Sequence, residues 1–113
     1  CGNGGLFLLE EMLRGADGAM TGFAYPEMMA DVVAAFEAGE ETEARDLFDA
    51  YLPLIRYESQ PGLGLAIRKY TLAKRGAIAH PTVRKPVGAV GAVAIAEGEA
   101  LIARQEARLA ELE

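Results

Sequence analysis

The feature that most constrains this fold is a short apolar segment, residues 19–22, between two helical stretches. Gly15 ends the first stretch, and Pro26 with Glu27 opens the second. The order helix, strand, helix is typical of a parallel α/β fold. No second strand is found to pair with residues 19–22, and a lone parallel strand leaves its backbone polar groups unsatisfied. The sequence therefore predicts that this chain is a piece of a larger structure.

Apolar residues recur at helical spacing through most of the remaining chain. This pattern predicts helices over 6–14, 26–38, 41–57, 63–75 and 100–112. Pro53 is expected to bend the third of them, since it removes one backbone hydrogen bond. An Ala/Gly/Val-rich run at 88–96 is ambiguous, with a loosely packed helix favoured. The prediction is a mostly α chain of five or six helices and one strand.

Composition excludes several classes of function. Eleven basic against 17 acidic residues give a net charge of −6, and the scattered basic residues argue against a nucleic-acid partner. The longest uncharged apolar-rich run, residues 87–96, is far shorter than the roughly 20 residues of a membrane span. The single cysteine allows no internal disulfide and suits a reducing cytoplasm, where we expect the protein. A chain that starts at Cys1 fits a fragment or a processed product.

Several short motifs recur in a defined order. They are GGLFLLEE at 4–11, RGADG at 14–18, MTGFAYPE at 20–27, AGE at 38–40, LPL at 52–54, IRK at 67–69, KRG at 74–76 and RKP at 84–86. Each is short, but their order and spacing make the match specific. The chain resembles the dihydrodipicolinate synthase/N-acetylneuraminate lyase family over nearly its whole length, more weakly after Pro86.

The resemblance implies the end of a (β/α)₈ (TIM) barrel followed by a C-terminal helical domain. Residues 1–38 then correspond to the end of strand 7, helix 7, strand 8 and helix 8, and residues 39–113 to the helical domain. A complete barrel needs about 250 residues, so six strands lie outside this chain. Their absence accounts for the unpaired segment at 19–22.

The resemblance also implies a chemistry. Enzymes of that family form a Schiff base between a lysine on the sixth strand and a 2-keto acid such as pyruvate, with a tyrosine on the fifth. Neither region lies in this chain, and Lys69, Lys74 and Lys85 do not match the catalytic lysine. The expectation is the C-terminal part of a lyase (aldolase, synthase or dehydratase), inactive alone and with no cofactor. Relatives are commonly homotetramers, so a homo-oligomer is expected.

What remains of an active site is its wall. By resemblance, Gly4 and Gly5 line the substrate mouth, Met20 packs on the bound keto acid, and Thr21 or Gly22 borders the specificity pocket. A glycine loop before a helix offers backbone N–H groups to a carboxylate. The same glycines can instead serve only a tight turn, and the sequence leaves both readings open. Glycine and methionine replace the polar residues that hold a polyhydroxy substrate in relatives, which argues against a sialic-acid-type substrate.

Other readings are weaker. His80 is the lone histidine and has no partner at ligand spacing, so no metal site is expected. Phe7 occupies the third glycine position of a dinucleotide-binding motif. Two alternative functions remain: an acidic helical interaction module, and a hydrolase that uses Cys1 as an N-terminal nucleophile. For a fragment, we expect the C-terminal helices to keep their pairing while residues before Ala24 rearrange or swap between chains.

Overall fold

A computed structural model describes residues 1–113. Its regular secondary structure is helical throughout, with no strand. A short 3₁₀ turn, Asn3–Gly5, precedes five helices: α1 (Leu8–Leu13), α2 (Pro26–Glu37), α3 (Glu41–Glu58), α4 (Gly64–Lys74) and α5 (Ala92–Leu112). The prediction of a mostly α chain is confirmed. The predicted bounds of α2, α3 and α4 agree with the structure to within one residue at each end.

The prediction of a strand at residues 19–22 is wrong for this chain. The segment makes one pairing with the N-terminal residue: the Cys1 amino nitrogen donates to the Gly18 carbonyl at 3.1 Å. In return, the Met20 N–H donates to the Cys1 carbonyl at 2.8 Å. Two such bonds around one residue are the pattern of a parallel pair. A strand needs this pattern to continue along a neighbour, and residues 1–113 supply none.

The two C-terminal segments of the prediction merge into one helix. Residues 88–91 are not helical, and α5 then runs unbroken through the glycine at position 98. A glycine inside a helix costs about 1 kcal/mol relative to alanine. Contacts on either side of it hold the helix: the Tyr57 hydroxyl donates to Glu97 at 2.9 Å, and the Tyr70 hydroxyl donates to Glu99 at 2.5 Å.

Helix α3 is the centre of the molecule, since it contacts the 3₁₀ turn and all four other helices. Its buried face includes Phe48, Leu54 and Ile55. One core cluster joins this face to α1, to the segment before α2, and to Ile102 of α5. Pro53 lies on the exposed side of α3, and the helix continues past it; the bend at Pro53 stays a prediction.

Three aromatic rings close the core between the 23–25 segment and α3. The Phe23 and Tyr51 rings meet edge to face with centroids 6.1 Å apart, and the Tyr25 ring lies 5.6 Å from Phe23 and 5.5 Å from Tyr51. Such pairs are worth about 0.5–1.5 kcal/mol beyond the area they bury. They anchor residues 23–25 to the helices that follow.

None of the five helices is both long enough and apolar enough to span a membrane.

The position of α3 yields a stability prediction. Leu54→Ala removes a side chain that is 1% exposed, so we expect the free energy of unfolding to fall by about 2–5 kcal/mol. Leu13→Ala is the matched control, because Leu13 is 49% exposed and its truncation leaves no enclosed cavity. Urea unfolding followed by circular dichroism measures both. Equal losses in the two variants would contradict a core centred on α3.

Candidate functional site

The glycine loop ahead of α1 has an unusual backbone. Asn3, Gly4 and Gly5 all have positive φ, at 51°, 69° and 81°. A side chain on Gly5 would also collide with α2, because an ideal Cβ would lie 2.0 Å from the Met29 methyl carbon. The Gly5 N–H already donates to the Gly2 carbonyl at 3.0 Å. The geometry of the turn is therefore sufficient to explain a glycine at position 5. The Gly5 N–H is already hydrogen-bonded and is not free to bind a carboxylate.

In the segment that follows α1, neighbouring side chains differ in their exposure to solvent. Met20 is 88% exposed, while Thr21 lies partly buried near Gly5. The Thr21 hydroxyl accepts a hydrogen bond from the Phe23 N–H at 3.4 Å. Met20 and Thr21 line an open cavity of about 530 Å³. Its other lining residues are Gly18, Ala19, Pro26, Met29, Ala30, Val33, Ala34 and Glu37.

The structure does not gather the five predicted site residues into one cavity. Gly4 lines a second cavity of about 480 Å³, together with Asn3, Glu58 and Arg68 among others. Gly5 is buried close to the side chains of Thr21 and Met29. Gly22 lies against α4: an ideal Cβ there would come within 2.5 Å of the Arg68 Nη1 atom. The roles in substrate binding that the resemblance assigns to these five residues remain predictions.

An ion pair between a buried glutamate of α3 and a partly exposed arginine of α4 supports residues 22–24. Arg68 Nε donates to the Glu58 Oε1 atom at 2.6 Å, and the Ala24 N–H donates to Oε2 at 3.4 Å. Glu58 is only 4% exposed. Burial raises the pKa of the Glu58 carboxyl above its ordinary value, and the Arg68 guanidinium opposes this rise.

A second arginine, Arg75, directly follows α4 and contacts Ala24 and Tyr25. Arg75 Nη1 donates to the Ala24 carbonyl at 2.6 Å, and its guanidinium carbon lies 4.0 Å from the centre of the Tyr25 ring. Arg75 also forms an ion pair with Glu27 at the start of α2. Burial raises the pKa of the Tyr25 hydroxyl, and the nearby Arg75 lowers it again in part. Both backbone groups of Ala24 are therefore paired with side chains, Glu58 of α3 and Arg75 directly after α4.

The three lysines lie away from both cavities. Lys69 Nζ donates to the Thr82 carbonyl at 3.0 Å, and Lys74 lies 3.6 Å from a Glu99 oxygen. Lys85 is exposed in the connection between α4 and α5. No lysine lines either cavity. The structure therefore brings no lysine amine to the predicted substrate wall.

The other candidate groups make few contacts. The Cys1 amino group, which a nucleophilic cysteine would use as its base, is hydrogen-bonded to Gly18 and lies 3.5 Å from a Glu11 oxygen. His80 is exposed. No group of three or more His, Cys, Asp or Glu side chains is arranged to hold a metal ion.

Reasoning from the sequence missed Glu58, Arg68 and Arg75. One signal was available, because Glu58 continues the buried stripe of α3 at the helical spacing set by Tyr51 and Ile55. A charged residue on an apolar stripe needs a partner, since an unpaired buried charge is costly. No local pattern identifies that partner as Arg68.

Comparisons with known proteins agree on one relationship. No family model matches the sequence. The L-2-keto-3-deoxyarabonate dehydratase of Azospirillum brasilense is 31% identical over 86 residues, which are 76% of this chain and 28% of that protein. The solved structure of dihydrodipicolinate synthase from Rhodopseudomonas palustris is 54% identical with a TM-score of 0.90, over 92% of this chain and 35% of that one.

This chain is a relative of dihydrodipicolinate synthase, and the resemblance seen in its motifs is confirmed. It matches only about a third of the length of these relatives. The predicted fold class, the mostly helical C-terminal portion of such a barrel protein, is confirmed as well.

The crowding at Gly5 gives a prediction with an internal reference. Gly5→Ala places a Cβ at positive φ, which costs about 1–2 kcal/mol, and the end of the Met29 side chain must also move aside, which adds a smaller cost because that side chain is flexible. Gly39→Ala has nearly the same φ of 78° with open space around it, so only the first cost applies. Urea unfolding compares the two variants. A loss at Gly5 no larger than at Gly39 would contradict the packing described.

The raised pKa of Glu58 gives a prediction of pH dependence. Above the ordinary value of 4.5, and up to the raised value, the folded state holds more protons than the unfolded state. The Glu58 contribution to the free energy of unfolding therefore falls as pH rises through that window. Glu58→Gln removes this fall. The free energy of unfolding of the native chain minus that of the variant is therefore expected to decrease as pH rises. Urea unfolding at several pH values from about 4 to 7 measures it.

Glu10→Gln, at an exposed residue of α1, is the control for removing one carboxylate. A Glu58→Gln variant whose stability follows the native chain in parallel across this range would contradict the assignment.

Proposed function

We propose that this chain is the C-terminal part of a 2-keto-acid lyase, whose barrel is completed by segments outside these 113 residues. Residues 1–38 form the end of the barrel, and residues 39–113 form its C-terminal helical domain. The close structural likeness to a third of dihydrodipicolinate synthase supports this assignment. The keto acid acted on by the complete protein is a substrate such as pyruvate.

The observation that carries the proposal is the incomplete pairing at residues 18–20. Two hydrogen bonds to Cys1 begin a parallel pair, and the other side of the segment has no strand beside it. Met20 projects into solvent, and an apolar cavity opens between this segment and α2. Unpaired backbone and exposed apolar surface of this kind need a covering element. A neighbouring barrel strand and its helix would supply it.

In the complete barrel, the substrate wall comprises Gly4, Gly5, Met20, Thr21 and Gly22. Ligands of such barrels bind at the carboxyl ends of the strands, where these residues lie in the proposed alignment. The exposed Met20 side chain is available to pack on a bound keto acid. The reacting lysine belongs to the segments outside this chain, since none of Lys69, Lys74 and Lys85 lines a cavity beside the proposed wall.

The chain alone is accordingly inactive, and it requires no cofactor. We place the complete protein in the cytoplasm as a homo-oligomer, by analogy with the relatives.

A second candidate is an acidic helical interaction module. The exposed apolar side chains Phe7, Met20 and Val93 favour it, at 58%, 88% and 75% exposure. Sedimentation separates the two hypotheses: a barrel fragment self-associates without fixed stoichiometry, whereas a module forms one defined complex.

Trapping with borohydride tests the leading proposal. The full-length protein that contains this chain, incubated with pyruvate and sodium borohydride, is expected to gain the mass of one reduced pyruvate adduct. The 113-residue chain treated in the same way is expected to gain none. Peptide mapping should place the adduct on a lysine outside this chain, and a Lys69→Arg variant of the full-length protein should trap as well as the native one.

An untrapped full-length protein, or an adduct on Lys69, Lys74 or Lys85, would contradict the proposal. Borohydride without pyruvate is the chemical control.

A further inference from the structure

We propose that Arg75 is a positioning residue for the lyase reaction. Through its hydrogen bond to the Ala24 carbonyl, it holds residues 20–22 of the proposed substrate wall where they meet the bound keto acid. This inference rests on the function proposed above, and it gives the helical domain a part in the reaction.

Residues 20–22 have little support of their own within this chain. The Met20 N–H donates to the Cys1 carbonyl at 2.8 Å, whereas Thr21 and Gly22 make no backbone–backbone hydrogen bond within residues 1–113. Barrel strands outside this chain pair with the segment only as far as the sheet extends. Beyond the sheet, the position of the backbone depends on what holds the next buried residues.

Ala24 is the first residue after the wall whose backbone is bonded to the helical domain. It is fully buried, at 0% exposure. Its carbonyl accepts a hydrogen bond of 2.6 Å from Arg75 Nη1, and its N–H donates to the Glu58 Oε2 atom at 3.4 Å. Because the two bonds engage the backbone on either side of one Cα atom, they fix both the position and the direction of the chain two residues after Gly22.

Arg75 is itself held in place, so it can serve as an anchor. Its guanidinium carbon lies 4.0 Å from the centre of the Tyr25 ring, and it forms an ion pair with Glu27. A planar guanidinium has several donors in fixed directions, so it can bond a carbonyl and a carboxylate at once. Arg75 lines neither cavity beside the wall. It therefore acts through Ala24 and not by contact with the substrate.

A displacement of Ala24 is expected to reach the wall. Only Phe23 separates Ala24 from Gly22, and each residue contributes just two soft backbone dihedrals that could absorb a shift. Without Arg75 the buried Ala24 carbonyl loses its partner, which favours a movement of the segment toward another donor. A misplacement of about 1 Å at a reacting site can cost about 100-fold in rate.

The pyruvate dependence of borohydride trapping tests the inference on the full-length protein. Arg75→Met removes the donors and keeps an unbranched side chain beside the Tyr25 ring. We expect the pyruvate concentration that gives half of the maximal adduct to rise by about 5- to 50-fold. The maximal adduct should stay near the native amount, because the reacting lysine lies outside this chain. A purely structural role would instead lower the maximum and leave the half-saturating concentration unchanged, since only folded protein reacts.

Two further substitutions of the same residue separate the bond from the side chain. Arg75→Gln is too short to reach the Ala24 carbonyl, so it should behave like Arg75→Met, and it takes the place of that variant if Arg75→Met does not fold. Arg75→Lys keeps a cationic donor for the carbonyl and should recover most of the native half-saturating concentration.

Two controls isolate the contact with Ala24. Glu27→Gln removes the ion pair of Arg75 and leaves the bond to the carbonyl. Arg45→Met removes an arginine from an exposed ion pair with Glu41 elsewhere in the helical domain. Both variants should keep a half-saturating pyruvate concentration within twofold of the native one.

A half-saturating concentration within twofold of the native one in Arg75→Met and Arg75→Gln would overturn the inference. So would a reduced maximum with an unchanged half-saturating concentration, no recovery in Arg75→Lys, or an equal rise in Glu27→Gln. Native protein that traps no pyruvate would show that the proposed function itself has failed. Native protein that traps pyruvate, with Arg75 variants that match it, would show that only this inference has failed.

Discussion

The structure depends on how the backbone between the end of α1 and the start of α2 is satisfied. Residues 22–25 are mostly buried and have no sheet to bond to. Glu58 accepts the Ala24 N–H, and Arg75 donates to the Ala24 carbonyl. A buried backbone polar group without a partner costs free energy comparable to a lost hydrogen bond, so these side chains make the buried path possible. Charged groups do here what a neighbouring strand does in a sheet.

The ion pair of Glu58 and Arg68 is better understood as a positional device than as a source of stability. Burying the Glu58 carboxylate is costly, and its attraction to the partly exposed Arg68 offsets that cost only when the geometry is good. Here one carboxylate oxygen bonds the arginine and the other bonds the backbone. The raised pKa of Glu58 shows that burial outweighs the arginine in setting its protonation. What the pair provides is a fixed direction for the guanidinium beside Gly22.

Local pattern and local structure agree where one segment determines its own conformation. The spacing of Met28, Met29 and Val32 predicts the buried face of α2, and the structure buries all three. The prediction of a strand at 19–22 was wrong because a strand forms only when a neighbouring strand satisfies its backbone hydrogen bonds. The helix predicted at 100–112 begins at Ala92 in the structure, because tyrosines of α3 and α4 hold Glu97 and Glu99 and so override the low helix propensity of the glycine between them. Gly5 was identified as a site residue, but its contact with Met29 was not.

The sequence by itself determined the helices and the relationship to dihydrodipicolinate synthase. Helical periodicity and short ordered motifs are properties of residues close together in the chain. Only the tertiary structure decided what surrounds the proposed substrate wall. The bonds that hold Ala24 join residues 34 and 51 positions apart, to Glu58 and to Arg75. Such contacts depend on how α3 and α4 pack, and no spacing along the chain specifies the distance between two side chains that meet only after the helices have docked.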